Sequence, residues 1–172
     1  RFPRNASIPS SSLYILSIPN ISNNLSDTNS IYCFIRPLFI PIKSHGSDSV
    51  INSFSESMKA YSNILKKISP ESIVVLGDRY EMLSAALSAY ILKINIIHLA
   101  GGEKTVGSLD DGFRNCITKM ANLHFPVAEE YKKRIIQMGE NPSMVFNFGA
   151  PGIDNILNIK LLSKNELEKQ LD

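Results

Sequence analysis

The sequence predicts an α/β domain, a parallel sheet covered by helices in the doubly wound class, and three observations predict it. Short continuous apolar runs such as "SIVVLG" and "NIIHLA" alternate with longer stretches whose apolar residues recur every three or four positions. The connections between the runs are too long for hairpins, which argues for crossovers between parallel strands. With 172 residues, 44% of them apolar, the chain is long enough for one domain with a real core.

The order of elements follows from the pattern. Residues 1–30 are rich in Ser and Asn, and Pro3, Pro9 and Pro19 interrupt the only apolar stretch, "LYILSI". Proline fixes its own φ and restricts the residue before it, so this arm carries no long helix and at most one edge strand. "IYCFIRPLFIPI" (Ile31 to Ile42) is apolar enough for a strand, but Pro37 and Pro41 push it to a sheet edge or out of the sheet.

Regularity begins at Val50. Val50, Ile51, Phe54, Met58, Tyr61, Ile64, Leu65 and Ile68 line one face of an amphipathic helix that ends before Pro70. "SIVVLG" follows as a strand buried on both faces, then "YEMLSAALSAYILK" as a helix and "NIIHLA" as a strand. "LDDGFRNCITKMAN" reads as a helix, "LHFPVA" as a strand, and "EEYKKRIIQMG" as a helix stopped by Gly139. "MVFNFG" and "GIDNILNIK" complete the alternation as strand and helix.

Composition excludes several function classes. A net charge of +2 with both signs mixed along the chain lacks the clustered basic face that nucleic acid requires. Cys33 and Cys116 belong to no CxxC pair, which argues against a zinc site or disulfide framework and for a reducing cytosol. No apolar run is long enough for a membrane span, and residues 1–30 show no signal-peptide pattern.

In sheets of this class ligands bind beyond the carboxyl ends of the strands. Those ends carry Gly77-Asp78-Arg79, Ala100-Gly101-Gly102-Glu103, Ala128-Glu129-Glu130 and Gly149-Ala150-Pro151-Gly152. Asp78 suits a general base or a sugar-hydroxyl partner, and equally a helix N-cap. Arg79 suits a phosphate clamp, or a pair with Glu81. Gly101-Gly102 marks a backbone brought close to a ligand, or a tight turn. Asp110 and Asp111 open a helix, where the macrodipole favours anions, yet beside Glu103 they could also form an acid and base pair. His98 and His124 read as core histidines, and Glu129 and Glu130 as solvated first-turn charges. There is no P-loop, no GxGxxG, no GxSxG elbow and no His spacing for a metal; no cofactor is expected.

"GDRYE", "HLAGGE", "DDGFRNCITK", "LHF", "EEYKKRIIQMGE" and "FNFGAPGIDNI" occur in an order and spacing that resemble the amino-terminal half of the UDP-N-acetylglucosamine 2-epimerases. The resemblance is to the hydrolysing branch of sialic-acid and legionaminic-acid synthesis, and it runs from about Ser47 to Leu171. It implies one Rossmann-like half of a two-domain GT-B-type fold: a partial amino-terminal domain over residues 47–172, an unrelated irregular arm over residues 1–46, and a UDP-binding domain beyond Asp172. It also implies proton abstraction at C2 of the sugar, anti loss of UDP to a glycal, and hydration to N-acetylmannosamine. In that chemistry Asp78 and Asp110 would be catalytic, and Arg79, Gly101, Gly102, Glu103 and Arg114 would bind the UDP-sugar. Relatives carry glutamate or histidine where this chain has Ala100, and often histidine where it has Asn115. The resemblance leaves room for a homodimer, and for a non-catalytic epimerase-like domain that pairs with a full-length partner.

Overall fold

A computed structural model describes residues 13–17, 31–35, 47–159 and 164–171. Its strands are β1 (Leu13–Ser17), β2 (Ile31–Ile35), β3 (Ser72–Leu76), β4 (Asn95–Leu99) and β5 (Leu123–Phe125). Its helices are α1 (Ser47–Ile68), α2 (Tyr80–Ile91), α3 (Leu109–Met120), α4 (Glu129–Gln137), α5 (Pro151–Asn158) and α6 (Lys164–Leu171). The strands form one sheet in the order β1-β2-β3-β4-β5. Strands β2 to β5 pair in parallel, and β1 adds an antiparallel edge.

Two expectations are corrected. "IYCFI" does form a strand, but an interior one between β1 and β3, because it ends at Ile35 before either proline begins. The edge position belongs to "LYILS", the one edge strand that the sequence allows the arm over residues 1–30, so the stretch otherwise expected to be irregular contributes two strands. "MVFNFG" is not a strand. A 3-10 turn at Pro142–Met144 leads into a single parallel bridge between Val145 and His124, and Phe146 N–H donates to the His124 carbonyl at 2.9 Å before the chain leaves the sheet.

Alternation along β3 and β4 explains the core. Ile73, Val75 and Ile96 share one sheet face and are fully buried beneath Tyr61 and Leu65 of α1, Met82, Ala85, Ala86 and Ala89 of α2, and Ile117 of α3. Each such large side chain contributes about 1.5–3 kcal/mol of burial. Helix α2 sits between α1 and α3, and its run of alanines and serines lets backbones approach closely; the Ser84 and Ser88 hydroxyls donate to carbonyls one turn back at 2.8 Å. With the strands in sequential order, α1, α2 and α3 share the core on one face of the sheet. On the opposite face Val74, Ile97 and Leu99 are half-buried, and the ring of Phe125 packs tilted against Phe146 at a centroid distance of 6.0 Å and stacks with Phe148 at 5.9 Å. Among the described residues no helix is long and apolar enough to cross a membrane.

Candidate active site

Because β3, β4 and β5 run parallel, their carboxyl ends bring the loops after Leu76, Leu99 and Phe125 to one rim of the sheet. The first loop turns at Gly77, whose φ of +86° suits glycine and whose N–H donates to the Leu99 carbonyl at 3.2 Å. Asp78 follows, and Arg79 is the N-cap of α2 without a side-chain cap bond. Asp78 therefore does not act as the cap that the sequence also allowed.

The carboxylate of Asp78 instead accepts from Arg114 Nη2, a pair that joins the end of β3 to α3. The Arg114 side chain is 5% exposed and serves four acceptors. Its Nη1 donates to the Glu103 carbonyl at 3.0 Å and to Asp111 Oδ1 at 3.4 Å, and its Nη2 also reaches Thr105 Oγ1 at 3.2 Å. Only its Nε, which is buried, has no partner among the described residues. With both terminal nitrogens committed to the protein, Arg114 ties three segments of the rim together and has no free fork for a diphosphate.

Helix α3 begins where its sequence signals it. The Ser108 hydroxyl caps it by accepting from Asp110 N–H at 3.2 Å, and Asp111 Oδ1 accepts from Thr105 N–H at 2.9 Å. Of the two aspartates, Asp111 is thus bound into the scaffold beside Arg114. Asp110 and Glu103 are half-buried, and among the described residues neither carboxylate has a hydrogen-bond or ion-pair partner. Arg79, by contrast, makes a two-point pair with Glu81 at 3.1 and 3.2 Å. Glu81 raises the guanidinium pKa above its ordinary value, and Asp110 adds to this from further away.

The glycine pair is held by packing. A Cβ on Gly101 would lie 2.9 Å from His98 Nδ1 and 3.1 Å from Thr118 Oγ1. A Cβ on Gly102, at φ +77°, would lie 2.5 Å from the Tyr131 carbonyl oxygen. The Gly102 carbonyl accepts from Arg134 Nη1 at 2.8 Å, so α4 holds this turn as well. Ala100 precedes the pair at φ +59°, with its N–H on the Phe125 carbonyl at 3.0 Å. The tight-turn reading of Gly101-Gly102 has these contacts behind it.

His98 is fully buried, with Nε2 3.0 Å from the Gly77 carbonyl and Nδ1 3.2 Å from Thr118 Oγ1. Burial pushes its pKa down to about 4, against the opposing effect of the Gly77 carbonyl. His124 is buried too, and burial lowers its pKa while Glu140, 3.4 Å from Nε2, works the other way. Both fit the reading of core histidines. Thr105 and Thr118 escaped sequence reasoning; only the i,i+4 spacing of Arg114 and Thr118 carried a signal. Glu129 is exposed at the start of α4 and 3.5 Å from Asn147 Nδ2. Among the described residues no group of three His, Cys, Asp or Glu could hold a metal ion.

A parallel Rossmann-like sheet with a carboxylate and guanidinium rim at its strand ends is the arrangement of an open α/β domain, in which the ligand site lies beyond the carboxyl ends of the strands. Residues 20–172 match the family model described as UDP-N-acetylglucosamine 2-epimerase, and the chain belongs to that family. It is 43% identical over 135 residues to the GDP/UDP-N,N'-diacetylbacillosamine 2-epimerase (hydrolyzing) of Campylobacter jejuni, covering 77% of this chain and 35% of that protein. It is 40% identical over 134 residues to the polysialic acid biosynthesis protein P7 of Escherichia coli, covering 78% and 34%. The Methanocaldococcus jannaschii UDP-GlcNAc 2-epimerase, solved in complex with UDP-GlcNAc and UDP, superposes with a TM-score of 0.66 at 23% identity, over 74% of this chain and 36% of that one. The chain thus spans about a third of the length of the curated relatives it matches.

Proposed function

We propose that these residues form the sugar-side wall of a hydrolysing 2-epimerase that converts UDP-N-acetylglucosamine to N-acetylmannosamine and UDP. The observation that carries the reading is the strand-end rim itself: Asp78 is fixed by Arg114, the same guanidinium holds the Glu103 carbonyl, and the half-buried carboxylates of Glu103 and Asp110 on the adjoining segment are unpaired among the described residues. Elimination breaks the C2–H bond and the C1–O bond to UDP and forms the C1–C2 double bond of a glycal. Water then gives its oxygen to C1, and C2 regains a proton on the opposite face. Both stages need carboxylates that accept and return a proton and face a cationic C1. We assign proton transfer to Asp78 and Asp110. Glu103, Arg79 and the Gly101-Gly102 backbone border the UDP-sugar, and Arg114 acts through Asp78.

The residues present would contribute little turnover by themselves, since a wall of a cleft does not exclude water from a reacting sugar. We place the protein in the cytosol, with the unpaired Cys116 in keeping with a reducing compartment, and as a homodimer. A second substrate is favoured by the name of the Campylobacter relative: a UDP-linked N,N'-diacetylbacillosamine, a 4-amino-6-deoxy variant of the same sugar. Incubating the protein that carries these residues with each nucleotide sugar, and identifying the released amino sugar by mass spectrometry, tests the reading. It also separates the two substrates. Release of neither sugar from a folded protein would favour the non-catalytic domain instead.

A further inference from the structure

We propose that His98 is a positioning residue for Asp78: it fixes the backbone turn that carries this carboxylate, while Arg114 fixes the carboxylate itself. Gly77 presents a carbonyl oxygen, which can only accept, so the imidazole carries its hydrogen on Nε2 and donates across 3.0 Å. Nδ1 is then the acceptor, and the Thr118 hydroxyl donates to it across 3.2 Å. An apolar side chain would fill this buried place in β4 at lower desolvation cost; an imidazole is tolerated because both ring nitrogens are bonded.

What those bonds join is the telling point. Gly77 immediately precedes Asp78, and Thr118 lies one helical turn beyond Arg114 on α3. The turn is pinned on one side by its own N–H on the Leu99 carbonyl and on the other by His98. One helix therefore governs Asp78 twice, through Arg114 on its carboxylate and through Thr118 and His98 on its backbone. Gly101 completes the arrangement, because only a residue without a side chain leaves room for the ring and the hydroxyl together.

The kinetic part of this inference rests on the proposed 2-epimerase reaction; the structural part does not. The experiment compares His98→Leu, which removes both bonds, with His98→Gln, whose amide N–H reaches the place of Nε2. In the active protein that contains this chain, His98→Leu should lower kcat about 10- to 100-fold with KM within about twofold, and His98→Gln should recover most of the loss. In parallel, the carbon-13 signal of the Asp78 carboxyl should move in His98→Leu and return towards its wild-type position in His98→Gln. An unmoved Asp78 signal in folded His98→Leu, an unchanged kcat, or a His98→Gln protein as slow as His98→Leu would overturn the proposal. If the wild type turns over neither nucleotide sugar, the reaction reading fails alone and the Asp78 signal decides the positioning role. Should His98→Leu not fold, Thr118→Val, which keeps the shape and deletes the donor to Nδ1, takes its place under the same criteria.

Discussion

Gly101 stands so close to His98 that a methyl group on its α carbon would lie 2.9 Å from ring Nδ1. The ring cannot retreat without releasing Gly77 or Thr118, so Gly101→Ala should destabilise the fold by about 1–3 kcal/mol, the usual range for overpacking. Gly102→Ala should cost more. It combines a positive φ with a Cβ 2.5 Å from a backbone oxygen that has no rotamer to change. Urea unfolding of the two variants checks the order; equal stability of Gly102→Ala and wild type would show that the turn is looser than this packing implies.

The two arginines of the rim should behave differently. Arg114 is buried and its loss leaves Asp78 without its partner and Asp111 with only the Thr105 N–H, so Arg114→Ala should cost about 3 kcal/mol. The Arg79 side chain is 63% exposed, and Arg79→Ala should change stability by less than about 1 kcal/mol even though it removes a two-point pair. If Arg79 meets the diphosphate, its removal raises KM instead. Thermal unfolding and steady-state kinetics of the pair separate scaffold from ligand contact.

How much of this could be read beforehand varied with the range of the interaction. Helices α1 to α4 and strands β3 to β5 were legible because each carries its own periodicity and a local stop such as Gly139, which has a φ of +92°. "MVFNFG" misled because a short apolar stretch forms a strand only where a neighbour pairs along it, and among the described residues only Val145 bridges to His124. Pro37 misled in the other direction, since it lies beyond the residues that pair. At the site, Asp78 was legible from its place at a strand end, but its partner stands 36 residues away, and nothing local distinguishes a guanidinium turned inward from one facing a ligand. Periodicity could not choose between Asp110 and Asp111, because both open the same helix; the family resemblance alone pointed to Asp110, and the Thr105 and Arg114 contacts of Asp111 are what set the two apart in the structure.

His98 should make stability fall as pH falls. Its unfolded pKa is near the ordinary 6.5 and its folded value is about 4, so between those values the unfolded chain binds more protons. The contribution is complete above pH 6.5 and is lost as pH drops towards 4, by at most about 1.4 kcal/mol per pH unit. His124, lowered in the same direction, adds to the slope. Urea midpoints of wild type and His98→Gln across this window check the effect: the variant should show the shallower dependence, and parallel curves would mean that His98 titrates normally.

The most direct test of the central claim is turnover of UDP-N-acetylglucosamine in deuterium oxide by the protein that carries these residues. Loss and regain of the C2 proton predicts free UDP and N-acetylmannosamine with deuterium at C2, at a rate that Asp78→Asn lowers about 10²- to 10⁴-fold. Release of N-acetylglucosamine without deuterium, or an Asp78→Asn variant as fast as wild type, would contradict it.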